Sequence, residues 1–408
     1  MYNLSIYIFS FFLKILSLFN SKIKLGVKGR QQTFDILRQN ISKTDKTIWF
    51  HCSSLGEYEQ GLPVFEQLRQ TYSQHKIILS FFSPSGYEIR KNTKVADVVV
   101  YLPLDTKANA KRFLDLTHPE FTVFVKYDIW PNLLLELKNQ NRRAILISAH
   151  FRKYQSYFKF YGNRLRKALF AFEHIFVQDK NSKTLLETIN YTAVTVSGDT
   201  RYDRVYNQLN QHNELEFISE FKANSICIVI GSSWEEDEAL LIPYINDNAS
   251  ETLKFIIAPH EINSNHINSI SSKLKVSTVL FSEKEGKTLK DYNVFIIDTI
   301  GLLSKIYSYA DIAYVGGAMG KTGLHNILEP AIFGVPVVIG KNHQKFPEAS
   351  AMIKNAGVIS IQDGKQLHDT FTTLLTSNQN CNILGEKNLK FIKESKGAVV
   401  QIMNYIRI

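Results

Sequence analysis

Cysteine is scarce in this chain, and what is missing narrows the chemistry. Only Cys52, Cys227 and Cys381 occur among 408 residues. They lie far apart with no C-x-x-C spacing, so neither a disulfide framework nor a zinc site is suggested, and a reducing, cytoplasmic compartment fits. No Asp-x-Asp occurs anywhere, so nothing argues for a metal-held diphosphate, and no cofactor is expected. No low-complexity tract or short-period repeat interrupts the chain. The longest apolar run, Leu4 to Phe19, is broken by Lys14 and falls short of the ~20 residues that usually cross a bilayer as a helix. It has no basic segment before it and no small-x-small site after it, which speaks against a cleaved signal peptide.

Acidic residues are absent from two stretches. The first thirty positions hold Lys14, Lys22, Lys24, Lys28 and Arg30, half of the formal excess of +10. Trailing basic residues keep the rest of the chain in the cytoplasm if the apolar run spans. We expect residues 1–20 to be a retained anchor that lies in the membrane interface or spans it marginally. Between His150 and Phe172 come Arg152, Lys153, Lys159, Arg164, Arg166 and Lys167, interleaved with Phe151, Tyr154, Tyr157, Phe158, Phe160 and Tyr161. Such a mixture suits an anionic membrane surface or a nucleic acid, or an amphipathic helix with its aromatics in the core. Charge beside apolar anchor residues, without any nucleic-acid motif, favours the membrane and no nucleic acid.

Strand-length apolar runs alternate with helical stretches, which predicts βα units and parallel sheets. A polar stretch from Tyr206 to Asn224 separates two such series. The expected organisation is an N-terminal Rossmann-like domain over 21–205, a linker over 206–224, a second Rossmann-like domain over 225–390 and a C-terminal helix over 391–408, with the two domains facing a cleft.

Chemistry-bearing residues gather after the strands. Ser53-Ser54-Leu55-Gly56-Glu57 follows the strand Thr47 to Cys52 and puts an acid at a helix N-terminus, where the helix dipole favours a carboxylate. Ser54-x-x-Glu57 equally reads as a capping box. Asp128, after Phe121 to Val125, fits a cleft or a helix cap. Arg201, in Gly198-Asp199-Thr200-Arg201, could neutralise a departing phosphate or simply pair with Asp199 or Asp203 on the surface. Gly231-Ser232-Ser233 and Gly316-Gly317 permit close backbone approach to a phosphate; His325 and Asn326 offer donors, and Glu329 could accept from ribose hydroxyls. Taken singly, these are also ordinary turn glycines and caps.

Together, Trp49-x-His51-x-x-Ser54-x-Gly56-Glu57, Asp128-x-Trp130-Pro131-Asn132, Gly198-Asp199-Thr200-Arg201-x-Asp203, Gly231-Ser232, Asp298-Thr299-x-Gly301 and Gly316-Gly317 followed by His325-Asn326-x-Leu328-Glu329-Pro330 resemble the 3-deoxy-D-manno-octulosonic acid (Kdo) transferase family. Order and rough spacing agree from about residue 25 to 350. The resemblance implies an α/β, GT-B fold and transfer of Kdo from CMP-Kdo to the lipid A precursor, lipid IVA, at the cytoplasmic face of the Gram-negative inner membrane. It implies Glu57 as general base, Asp128 and Arg201 as transition-state groups, and CMP contacts from Pro259, His260, Ile300, Gly301, Leu302, Asn326, Ile327, Leu328 and Glu329, to which the turns read above add Gly231, Ser232, Gly316, Gly317 and His325. Ser54, Gly56, Arg152 and Lys153 fall to acceptor and membrane. The chain departs from the family pattern, which often has Glu at 128, Lys at 201, Arg at 260 and Pro at 327. A nucleotide-sugar epimerase and a non-catalytic nucleotide-sugar-binding protein remain as rival readings.

Overall fold

A computed structural model describes residues 2–408. The chain forms two compact units, one up to Arg204 together with Lys396–Ile408, the other Val205–Ser395. The last helix, Ala398–Tyr405, therefore belongs to the first unit. The expected linker region carries helices of its own, Thr200–Gln208 and Glu216–Lys222.

The first unit holds seven strands: β1 (Thr47–Cys52), β2 (Lys76–Phe81), β3 (Val98–Tyr101), β4 (Phe121–Val125), β5 (Arg143–Ala149), β6 (His174–Val177) and β7 (Val194–Val196). All pair in parallel, in the order β3-β2-β1-β4-β5-β6-β7. Every residue of β1 is buried, as a sheet covered on both faces requires. Trp49 packs into one core with Ile78 and Phe124, while Ile48, Phe50 and Cys52 enter another with Leu79 and Val123. That is the two-residue alternation of a pleated strand.

The second unit repeats the plan with β8 (Ile226–Ser233), β9 (Leu253–Pro259), β10 (Thr278–Leu280), β11 (Val294–Ile296), β12 (Ile312–Val315), β13 (Val337–Ile339) and β14 (Val358–Ser360). Its order is β10-β11-β9-β8-β12-β13-β14, again parallel. In each sheet the strand order reverses beside the first strand, between β1 and β4 and between β8 and β12; in the second sheet β10 also lies outside β11 at the edge. Open α/β sheets bind ligands in the crevice beyond the strand ends at such a reversal.

The N-terminal segment is a helix, Tyr2–Leu16, none of whose residues is buried, followed by the helix Ser21–Asn40. Fifteen residues rise roughly 22 Å, less than the hydrocarbon thickness of a bilayer. Among the described residues no helix is long and apolar enough to cross a membrane. The marginal-span alternative thus gives way to a helix whose apolar side chains, Leu4, Tyr7, Ile8, Phe11 and Phe12 among them, are exposed.

Candidate active site

The segments after β1 and β4 lie at the first unit's reversal point and carry Glu57, in the first turn of the helix Leu55–Thr71, and Asp128. Lys126, at the end of β4, adopts φ 71°, a left-handed conformation that costs a non-glycine residue about 1–2 kcal/mol. Its amide still donates to Ile147 O at 2.8 Å. Beyond that bend Asp128 turns back to β1: its Oδ2 accepts from Ser53 N–H at 2.9 Å, and its Oδ1 is hydrogen-bonded to the Ser53 hydroxyl. The next serine serves the other acid, because the Ser54 hydroxyl donates to Glu57 Oε2. Two consecutive serines thus hold two carboxyl groups.

Ser54 caps the helix Leu55–Thr71 without a side-chain cap hydrogen bond, so the capping-box reading fails: its hydroxyl points to the acid instead of accepting a backbone amide. Gly56 is exposed in the first turn, and a Cβ there meets only Ser54 Oγ at 3.7 Å. No packing demands glycine at that position; its absent side chain leaves open space beside Glu57.

Behind the two acids stands a buried polar chain. His51 is fully buried; its Nδ1 lies 2.8 Å from Ser80 Oγ and 3.2 Å from Ser80 O. Trp130 Nε1 donates to His51 Nε2 at 2.9 Å, and Trp49 Nε1 donates to Ser80 Oγ at 2.8 Å. An indole N–H can only donate, so Nε2 is the acceptor and Nδ1 carries the proton. Burial holds the imidazole down at about 3, opposed by the Ser80 carbonyl, and the ring is neutral at ordinary pH. Asp128 Oδ2 sits 3.5 Å from Nε2. Burial first, then the nearby Glu57 charge, push the Asp128 carboxyl up to about 8, against the opposing Ser53 hydrogen bonds and Lys126.

Arg201 does not stand on open surface. Its Nε and NH2 donate to Asp199 Oδ2 at 2.8 and 2.7 Å, and its backbone N–H donates to Oδ1 at 3.0 Å. Burial raises the Asp199 carboxyl, but the guanidinium and its hydrogen bonds outweigh it and leave it below the usual range. Asp203 instead accepts from Gly397 N and Ala398 N at the start of the last helix.

In the second unit every residue assigned to CMP lies at or beyond the carboxyl end of a strand: Gly231 and Ser232 are in the last residues of β8, Pro259 ends β9 and His260 follows it, Ile300 to Leu302 follow β11, and Gly316 to Glu329 follow β12. β8 runs three residues further than its apolar core suggests. Gly316 must lack a side chain, since a Cβ there falls 2.4 Å from Ser232 O. At Gly317, with φ 93°, a Cβ falls 2.1 Å from Gly323 O. The amides of both are engaged inside the turn, Gly316 N on Gly231 O at 2.9 Å and Gly317 N on Asp237 Oδ2 at 2.8 Å. Packing thus requires glycine at both positions, and these two amides are committed within the turn.

Asp237 also accepts from Trp234 N at 3.0 Å and from Tyr314 OH at 2.8 Å. Trp234 Nε1 donates to His325 Nε2 at 3.0 Å, and His260 stacks on the Trp234 ring, centroids 4.5 Å apart, and lies tilted against His325 at 4.4 Å. Burial, then His260, hold His325 at about 4; burial also lowers His260. Asn326 Nδ2 donates to Glu329 Oε1 at 3.1 Å, Ile327 and Leu328 are fully buried, and Ile300 is 88% exposed. Sequence reasoning missed Ser53, Trp234 and Asp237 and left His51 and Trp130 without roles. A histidine flanked by Ile48, Trp49, Phe50 and Cys52 in one strand was the available signal, since buried polar groups need partners.

The basic and aromatic stretch is divided. Phe151, Tyr157 and Phe172 are core residues, Tyr154, Phe160 and Tyr161 are exposed, and Arg152 NH1 donates to Tyr154 OH at 2.9 Å. Lys153 is exposed. A short 3₁₀ turn, Ser156–Phe158, and the helix Asn163–Leu169 replace a single amphipathic helix. No group of three or more His, Cys, Asp or Glu is placed to hold a metal among the described residues.

The two-sheet plan is shared by solved structures. UDP-GlcNAc 2-epimerase from Neisseria meningitidis superposes with a TM-score of 0.60 at 16% identity, covering 86% of this chain and 95% of that one. MurG from Acinetobacter baumannii gives 0.54 at 12%, covering 88% and 99%. At such identities the likeness shows the fold alone. Relatives in sequence say more. Residues 28–204 match the family model described as 3-Deoxy-D-manno-octulosonic-acid transferase (kdotransferase). A 3-deoxy-D-manno-octulosonic acid transferase of Haemophilus influenzae is 28% identical over 88% of this chain and 86% of its own length. That of Chlamydophila psittaci is 25% identical over 90% and 86%. The protein is a glycosyltransferase built from two parallel α/β units. Its sequence is similar to that of Kdo transferases over most of its length, and the family model covers most of its first unit.

Proposed function

We propose that the protein transfers Kdo from CMP-Kdo to the lipid A precursor in lipopolysaccharide synthesis, by one inverting displacement in which Glu57 is the general base. The acceptor O–H gives its proton to the Glu57 carboxylate as its oxygen bonds the anomeric carbon. The bond from that carbon to the phosphate oxygen breaks, and its electron pair leaves with CMP. Positioned proton transfer of this kind contributes about 10²–10⁴-fold. What carries the reading is the placement of Glu57 in the first helical turn at the reversal point, with open space over Gly56 and a second acid braced by the adjoining serine.

The second unit's loops hold the nucleotide in this reading, with the ring cluster of Trp234, His260 and His325 supplying faces against which a base can stack. Arg201, braced by Asp199, meets charge developing on the departing phosphate. The exposed apolar helix Tyr2–Leu16 and the basic residues after it hold the protein on the cytoplasmic face of the inner membrane, with Arg152 and Lys153 near lipid phosphates.

The test incubates the full chain with CMP-Kdo and lipid A precursor and follows CMP release and the mass of the lipid product. Lipid-dependent CMP release with Kdo added to the lipid supports the reading, and the product mass counts the sugars. Conversion of the sugar nucleotide without lipid would point to an epimerase instead, and binding without turnover to a non-catalytic nucleotide-binding protein.

A further inference from the structure

The His51 chain has no role in the proton transfer above, yet all of its atoms are committed. Nε2 takes the Trp130 indole proton at 2.9 Å, Nδ1 faces both Ser80 oxygens, and the ring is sealed from solvent. Proton uptake at Nε2 therefore breaks the Trp130 hydrogen bond inside a low-dielectric pocket, and the imidazolium does not form. Asp128 Oδ2, 3.5 Å from Nε2, faces a lone pair already in use instead of a cation. The other titratable groups facing Asp128 are Cys52 on β1, Glu57 on the following helix and Lys126 on its own loop. Of these only Lys126 favours a charged carboxylate, from a residue at the strand end.

We propose that Trp130 and Ser80 lock His51 as the neutral Nδ1–H tautomer and that His51, so fixed, is a positioning residue that keeps the Asp128 carboxyl in its proton-bearing form. Resting on the Kdo-transfer reading, the consequence is chemical. The donor carries a sugar-acid carboxylate and a phosphate, and a neutral Asp128 meets it as a hydrogen-bond donor where an ionised one would repel it. Asp128 then stands beside the base as a group of opposite protonation, which is how paired acids divide their roles.

Two measurements on the full chain test this without reference to turnover. With ¹⁵N-labelled histidine, and His51→Gln to assign the signal, His51 should show Nδ1 protonated and Nε2 bare, unchanged from pH 5 to about 8. Protonation of both nitrogens in that range overturns the lock. Infrared difference spectra between wild type and Asp128→Asn should contain a protonated-carboxyl band at pH 7 that disappears as pH rises past about 8. In Trp130→Phe the freed Nε2 can take the Asp128 proton, so the band should vanish at a pH lower by about one unit or more, a tenfold or larger change in the proton equilibrium. A band absent at pH 7, or titrating identically in both proteins, refutes the proposal. If these signatures hold while no Kdo is transferred, the functional reading fails and the lock stands.

Discussion

Replacing Asp128 by Asn should change how stability depends on pH in a direction fixed by the structure. The folded carboxyl titrates near 8 instead of its ordinary 3.8, because burial disfavours its charge. Between those values the folded state binds a proton that the unfolded chain lacks. Stability from this group is therefore present at low pH and declines as pH rises, by about 1.4 kcal/mol per unit. His51 runs the other way, since burial lowers it from 6.5 to about 3. Below 6.5 the unfolded chain takes a proton that the folded one refuses, so stability falls as pH falls. From pH 6.5 down to 4 the two slopes oppose each other and largely cancel in the wild type. With Asn at 128 the His51 slope is uncovered, and acidification over that window should cost about 3 kcal/mol. The difference between variant and wild type should favour the variant progressively from pH 4 to 8, by up to about 5 kcal/mol. Two-unit proteins do not unfold in one step, so the assay is amide exchange of β1 in the full chain, corrected for intrinsic rates, which reports the opening free energy of that region. Parallel pH profiles for the two proteins would refute the reasoning.

Other perturbations read different parts of the molecule. Deleting residues 1–20 should weaken binding to anionic vesicles and use of the lipid acceptor at least tenfold, a loss of about 1.4 kcal/mol or more, while CMP-Kdo affinity measured by calorimetry stays unchanged; equal losses in both would make the segment structural. Gly317→Ala forces a Cβ to within 2.1 Å of Gly323 O at φ 93°. The strain of about 1–2 kcal/mol plus the clash should displace the His325 turn and weaken CMP binding roughly tenfold, whereas unchanged affinity would mean that the turn does not shape the nucleotide site. Turnover should persist in EDTA, and its loss would refute a metal-free displacement.

Much of the first unit was legible because parallel strands announce themselves as apolar runs. β1 and β4 begin and end at the residues that the pattern gives, Thr47 to Cys52 and Phe121 to Val125. The short edge strand Val194–Val196 escaped notice, its three residues being too few to show a period. Acids after β1 and β4 were visible as motifs. That Ser53 holds Asp128 across 75 positions was not, because it follows from the adjacency of β1 and β4 in the sheet, which local sequence does not encode. Asp237 escaped for the same reason. It reads as one more acid in a helix's first turn, and only the fold brings the Gly317 amide and the Tyr314 hydroxyl to it. Periodicity likewise could not divide the aromatics between Phe151 and Tyr161, since core and exposed rings alternate there within irregular turns.

Glu57→Gln is the most direct measurement. It keeps the size of the side chain and a group for the Ser54 hydroxyl to meet, and removes only the ability to take a proton. With CMP-Kdo and lipid acceptor supplied to the full chain, kcat should fall by about 10²–10⁴-fold while CMP affinity stays as in the wild type. Transfer at the wild-type rate, or a parallel loss of CMP binding, would contradict Glu57 as the base.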